Sequence, residues 1–410
     1  MTEDLSGARV YTAGLLLPEP GQAAVPDGAV LVRDGVIAAA GPAREVCAAA
    51  GDDVLVTAFP DSVLLPGLID THVHLVFDAS PDPVSALHAA DDRTLLLAMA
   101  GRAGQLLDSG VTTARDLGDR GQLGAVLREA VAARVVPGPR LLTSGAPLTV
   151  TGGHCWYLGG QADSEQEIRR VVRANLAAGA SWVKVMASGG TFTPGGPPPW
   201  SSQFSRSELG VAVAEARRFG RRVAVHAHGT QAVEDALSVG VDTLEHCSFA
   251  TSEGAATDPR AAELAPLLAR SGTAVCPTLS GALYDTRQGS AMKKVVDRVL
   301  ELVLRLHRQG VSLIAGTDAG MPGSRFDRFG EGLEWFGHAG LSTAAVLETA
   351  TVNAAAALGL SDRTGRIAPG LDADLLVVDG DPYTDLSVLR RPRFVVAQGR
   401  PHLPAGRVIR

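Results

Sequence analysis

The chain has 410 residues, 46% of them hydrophobic, a formal net charge of −7 and a pI near 5.8. That length allows one large barrel with a smaller companion domain, and the acidic, interspersed charge leaves no broad basic surface for nucleic acid. No stretch reaches the roughly 18 apolar residues of a membrane span, and the acidic start "MTEDLSGARVY" lacks the basic and apolar regions of a secretion signal, so the cytoplasm is the expected compartment.

Taken in chain order, residues 1–63 carry short alternating strands broken by turn residues, as in "PDGAVLVRDGVIAAAG". From 64 to 364 strand-like runs alternate with helical stretches. The runs are "SVLLPGLID", "VTTARDLG", "RLLTSGAP", "SWVKVMAS", "RVAVHAH", "DTLEHCS", "TAVCPTL" and "VSLIAGTDA". The intervening "SEQEIRRVVRANLAAG" and "SRSELGVAVAEARRFG" show helical spacing, a polar cap ahead and Gly behind. Eight βα units predict an α/β fold, a (β/α)8 TIM-type barrel; an open doubly wound sheet fits less well, because no GxGxxG follows the first strand. Residues 365–410 return to the style of the start ("GRIAPGLDADLLVVDGDP", "PRFVVAQGRP"), so the two ends are expected to build one small β-sandwich. "TPGGPPPW" at 193–200 reads as a loop. The four cysteines, Cys47, Cys155, Cys247 and Cys276, form no CxxC pair and suit a reduced interior.

Barrel chemistry sits at the C-terminal ends of the strands, and ligand-type residues fall there. His72 and His74 form an H-x-H pair whose two-residue period points both rings one way. Lys184 follows on the fourth strand, His226 and His228 on the fifth, His246 on the sixth and Asp318 on the eighth. Taken singly each has a structural explanation: a core histidine for His246, a helix N-cap for Asp318, an ion pair or anion site for Lys184. Five of the ten histidines at strand ends on one face is a pattern those separate explanations do not produce. Imidazole and carboxylate ligands at this density suit zinc or a similar first-row ion, and their number suggests two metals. Of the 37 Lys and Arg residues only Lys184, Lys293 and Lys294 are lysines, so arginine is the default cation. A lysine on a buried strand therefore asks for a reaction arginine cannot undergo, and a carbamate formed with CO2 would be an anion able to bridge two cations.

With "PGLIDTHVHL", "KVMASGG", "HAHG", "EHCS" and "GTDAG" on view, the chain resembles the metal-dependent amidohydrolase superfamily over residues 1–405. "TGGH" together with "KVMASGG" and "HAHG" is similar to its imidazolonepropionase-like branch, which includes Xaa-Pro dipeptidases, carboxypeptidases and amidases. The resemblance implies a first metal on His72, His74 and Asp318, a second on His226 and His246, and carboxylated Lys184 between them. It also implies substrate contacts from His154 and His228, Asp318 as general base and then acid toward a metal-bridging hydroxide, and a homo-oligomer. Thr230 and Gln231 depart from the tyrosine some dipeptidase members carry after "HAHG". The expected reaction is hydrolysis of a small-molecule amide, a dipeptide or N-acyl amino acid. Mononuclear imidazolonepropionase- or deaminase-type ring hydrolysis, lactone hydrolysis and a non-catalytic scaffold are the alternatives.

Aromatic residues are scarce, yet Trp156 and Tyr157, Phe192 and Trp200, and Phe326, Phe329, Trp335 and Phe336 follow strands three, four and eight. They are expected either to line the substrate pocket or to fill loop cores. Arg325 or Arg328 is a candidate for binding a substrate carboxylate.

Overall fold

The computed structural model describes residues 7–51, 54–286 and 290–408. The acidic start at 1–6 lies outside them. Strands β1 (Arg9–Leu16), β2 (Val25–Arg33), β3 (Val36–Pro42) and β4 (Leu55–Pro66) come first. Parallel β5 (Leu68–Val73), β6 (Val111–Asp116) and β7 (Arg140–Thr143) form one arc, and parallel β8 (Trp182–Met186), β9 (Arg222–Gly229), β10 (Thr243–Ala250) and β11 (Ala274–Cys276) another. Isolated parallel bridges join the arcs at Leu148↔Val185, carry β11 to Leu313, and return from Ala319 to Val73. Every residue of β5, β6, β8 and β11 is buried, as strands covered on both faces must be.

The helices between strands start where their sequences place a cap. The Ser205 side chain accepts from Glu208 N while Glu208 Oε2 accepts from Ser205 N at 2.8 Å, a capping box that opens the helix Arg206–Arg218. Ser164 caps Glu165–Ala177 with its side chain alone, accepting from Glu167 N. No helix of the described residues is long and apolar enough to cross a membrane.

The last strands, β12 (Leu375–Val378), β13 (Phe394–Ala397) and β14 (Arg400–His402), join the first four in one seven-stranded sheet of order β14-β13-β12-β4-β1-β2-β3. Both chain ends meet as expected, but by continuous backbone pairing instead of as two separately paired layers. The sheet curls enough for Phe394 to reach the rings of Tyr11 and Phe59 at 5.9 and 5.3 Å, enclosing a core of its own. Arg140 fastens this sheet to the barrel side, at 2.8 Å from Asp372 and 2.9 Å from Asp374.

Two strand boundaries differ from the sequence reading. The run "SVLLPGLID" is divided at Gly67: β4 pairs with β1 and β12, while β5 begins the parallel arc. The eighth run, "VSLIAGTDA", has the barrel position but no regular ladder, and is held by single bonds such as Thr71 N to Ala315 O at 3.0 Å. Gly316 explains its course. A Cβ there would lie 2.6 Å from Cys276 Sγ and 2.9 Å from His72 N, so only glycine lets this segment pass so close to the first strand.

Candidate active site

The C-terminal ends of β5, β8, β9 and β10 and the irregular eighth segment converge on a cavity of about 270 Å³. His72, His74, His154, Lys184, His226, His228, His246 and Asp318 all line it. Those eight are the metal-binding and catalytic residues expected from the sequence. Phe192 joins them, whereas Trp156, Tyr157, Trp200 and Arg325 do not line this cavity. Trp156 and Trp200 are exposed, and Tyr157 packs on Phe77 and His88. Arg325 pairs with Asp327 at 2.6 Å, and Arg328 with Asp285 and Glu331. Phe326, Phe329, Trp335 and Phe336 are core residues, because the helix Phe329–His338 turns its aromatic face inward.

Two groups of ligand atoms stand out. In the first, His72 Nε2 lies 3.3 Å from His74 Nε2, and Asp318 Oδ1 lies 3.3 and 3.5 Å from the two rings. The other nitrogen of each ring is committed as a donor: His72 Nδ1 to Glu245 Oε2 at 2.9 Å, and His74 Nδ1 to the Gly118 carbonyl at 3.1 Å. Two imidazole lone pairs therefore face each other with a carboxylate oxygen beside them, a repulsive arrangement unless a cation lies between. Bonds of about 2.0–2.1 Å at a tetrahedral angle place two ligand atoms about 3.3 Å apart. The donor set fits a first-row divalent ion.

In the second group, the ligand atoms of His226, His228 and His246 lie within 4.8 Å of one another. His226 Nε2 donates to the Gly189 carbonyl at 3.0 Å, leaving Nδ1 with its lone pair. His246 Nδ1 meets Thr278 Oγ1 at 2.8 Å; that hydroxyl spends its proton on the Pro277 carbonyl, so the imidazole must be the donor and Nε2 the acceptor. His228 and His154 bond instead to Ser248 and Thr193 hydroxyls, both at 2.8 Å, which accept either tautomer. A third group, His72, Glu245 and Cys276, is not a metal site, since the Glu245 oxygens are taken by His72, Arg115 and Thr243.

Burial dominates the protonation chemistry. It pushes His72, His226 and His246 well below the usual imidazole range, His74 and His154 to about 3 and His228 to about 4, so all six are neutral, as metal ligation requires. Burial lowers the Lys184 ammonium, with Glu245 and Asp318 opposing. Lys184 is 1% exposed, and among the described residues its Nζ has no hydrogen bond or ion pair. Burial raises Asp318 to about 7, against the opposing Lys184 charge. The backbone is strained here as well: non-glycine residues His246, Thr278 and Asp318 take φ of +66°, +52° and +55°.

Sequence reasoning missed the groups behind the ligands. Arg115 and Glu245, both 0% exposed, pair at 2.8 Å, with the Arg115 guanidinium also 4.3 Å from the Trp182 ring centroid. Asp70 accepts from Thr317 Oγ1 at 2.6 Å and from the His72 and Thr317 amides, tying the first strand to the eighth segment. Arg115 inside "VTTARDLG" was the available signal: an always-charged guanidinium within an apolar strand requires a buried partner.

Comparison with known proteins is consistent with this geometry. The model of the amidohydrolase family matches residues 63–401. Ochratoxinase of Aspergillus niger is 28% identical over 422 residues, covering 96% of this chain and 85% of that protein. Its crystal structure superposes with a TM-score of 0.84 at 25% identity, over 98% of this chain and 97% of that one. Imidazolonepropionase of Sphingopyxis alaskensis is 29% identical, covering 87% of this chain and 88% of that protein. A Xaa-Pro dipeptidase crystallised with methionine in its active site has a TM-score of 0.84 at 24% identity, over 97% of this chain and all of that one, a likeness of fold. The fold is thus a TIM-type barrel with an extra domain.

Proposed function

The chain belongs to the amidohydrolase family and is a hydrolase acting on amide C–N bonds, and from that premise we propose that it works with two divalent metal ions, zinc foremost, on a small-molecule amide such as a dipeptide or N-acyl amino acid. In this reading the eight βα units expected over residues 64–364 begin only after Gly67, because Leu64–Pro66 pair within the extra sheet, and the segments flanking the barrel form the extra domain. His72, His74 and Asp318 would hold one ion and His226 and His246 the other, with Lys184, as a carbamate, supplying a further anionic oxygen ligand. The observation that carries the reading is the pair of imidazole lone pairs 3.3 Å apart beside Asp318 Oδ1. The four histidines assigned to metal are also those whose second nitrogen is tied to a carbonyl, a carboxylate or an accepting hydroxyl, the usual bracing of metal-bound imidazole.

The ions would supply a water of lowered pKa and a polarised carbonyl. Asp318 would accept a proton from that water and return it to the leaving nitrogen. Its amide donates to the His72 carbonyl at 2.8 Å, which fixes the carboxylate against the two rings. Neutral His154 and His228 offer hydrogen bonds to the substrate carbonyl and flank the reacting bond. For Lys184, the amine nitrogen bonds to the carbon of CO2 and sheds a proton, replacing a buried cation with an anion; the unpaired, 1% exposed Nζ supports this chemistry.

The test is metal analysis with an amide screen. Wild-type protein loaded in bicarbonate is expected to hold two ions per chain and to cleave at least one dipeptide or N-acyl amino acid. Lys184→Ala is expected to hold one ion or none and to lose at least about 100-fold in kcat/KM, the loss of several kcal/mol of metal-derived stabilisation. One ion per chain in both proteins, with cleavage of cyclic imides or lactones only, would overturn the proposal in favour of ring hydrolysis.

A further inference from the structure

A second cavity, of about 210 Å³, adjoins the first at His228 and His246, which line both spaces. Its walls differ in kind from those of the metal cavity. The helix Ser290–Arg308 supplies Val296, Val299 and Val303, and the chain after β11 supplies Pro277 and Leu279. Among the described residues, no lining side chain is an acid, a lysine or an arginine; the polar groups are the two histidines with their partners Ser248 and Thr278. Protein interiors close such spaces by side-chain packing, and an apolar cavity of about 150 Å³ already holds benzene.

The geometry points to this cavity as a specificity pocket that receives one bulky, uncharged, apolar substituent of the ligand while its polar bond lies among the histidines. Applied to the amide-hydrolase reading, on which this part rests, the substrate class is an amide carrying a ring or branched chain of about six to eight heavy atoms on one side of the scissile bond. Charged side chains are disfavoured there, since an ion would be desolvated without a partner. The aliphatic walls account for selectivity that the loop aromatics, mostly core or exposed, do not supply.

Benzene is the direct probe, with the metal-loaded protein read by NMR saturation transfer. Wild type is expected to bind it and Val299→Phe, which fills the pocket from a half-buried helix position, to lose it; Val295→Phe serves equally should the first variant fail to fold. In parallel, kcat/KM is measured for N-acylglycines from acetyl to benzoyl and for N-acetyl amino acids from glycine to phenylalanine. In one of the two series it is expected to rise about 10-fold or more with the apolar group in wild type and to stay flat in Val299→Phe. No benzene binding in wild type overturns the pocket, and so does benzene binding with both series flat. Benzene binding that Val299→Phe abolishes, with no amide cleaved at all, upholds the pocket and removes the hydrolase reading instead.

Discussion

The two halves of the histidine cluster are braced differently. Behind His72 stands a chain of full charges: its Nδ1 donates to Glu245, whose other oxygen meets Arg115, with every member at 1% exposure or less. Behind His246 stands one neutral hydroxyl, Thr278, which passes its own proton to the Pro277 carbonyl. A carboxylate partner makes an imidazole a stronger electron donor than a hydroxyl does, so the His72 side is built for tight ligation and the His226–His246 side for a weaker, more adaptable one. The apolar cavity borders the adaptable side, at His246 and Thr278. The difference fits a division of labour in which one half holds its position while the other faces the ligand.

The sharpest way to break this contrast is Glu245→Gln. It is nearly isosteric but leaves Arg115 buried without a counter-charge and replaces the acceptor of His72 by an amide. We expect about 3–5 kcal/mol of destabilisation in thermal or denaturant unfolding, the cost of orphaning one member of a buried pair. We also expect metal affinity to fall about 10–100-fold, read by competition with a chelator. An unfolding midpoint and an affinity both unchanged would remove the charged brace from the account.

Protonation provides a second contrast. In metal-free protein with Lys184 as the free amine, His74 is held down to about 3 and His228 to about 4, in both cases first by burial and then by Lys184. A histidine whose folded value lies below its unfolded one resists protons that the unfolded chain accepts. Its contribution is therefore intact above about pH 6.5 and is lost as pH falls, at about 1.4 kcal/mol per unit, until the folded value is passed. His74→Gln should flatten the stability–pH curve of metal-free protein down to about pH 3, and His228→Gln only to about pH 4. Urea midpoints across that range measure it, and identical curves for the two variants would show that the halves are equally dry.

Strand ends, the H-x-H pair and the out-of-place lysine were legible because parallel strands impose a local rule: ligands at C-terminal ends, side chains alternating. The braces were not, because they depend on pairings across the fold. Glu245 is directly before His246 in "DTLEHCS", yet its partners His72 and Arg115 lie 173 and 130 residues away, and nothing local links them. The split at Gly67 was hidden since the end of β4 and the whole of β5 are both apolar and buried, one within the extra sheet and the other in the parallel arc. The aromatics after the eighth segment stayed undecided in the sequence for a similar reason: a ring in a helix following a strand packs inward as readily as over a pocket, and only the helix's rotation decides. Arg115 was readable by the premise applied to Lys184, that a charge inside an apolar strand is costly unless it is paired or chemically altered.

The smallest expected effect is also the most specific. Thr278→Val keeps the shape and β-branching that the left-handed backbone at φ +52° already tolerates, and deletes only the oxygen that accepts from His246 Nδ1. Folding should lose about 1 kcal/mol, the net worth of a neutral hydrogen bond. His246 is then free to exchange tautomers, so in the proposed two-ion reading the ion on the His226–His246 side should bind about 10-fold more weakly, while the one on His72, His74 and Asp318 keeps its affinity. Stepwise chelator titration followed by metal analysis separates the two. If both shares weaken together, the halves are coupled more tightly than their separate braces imply, and the shared anion at Lys184 would be the group that couples them.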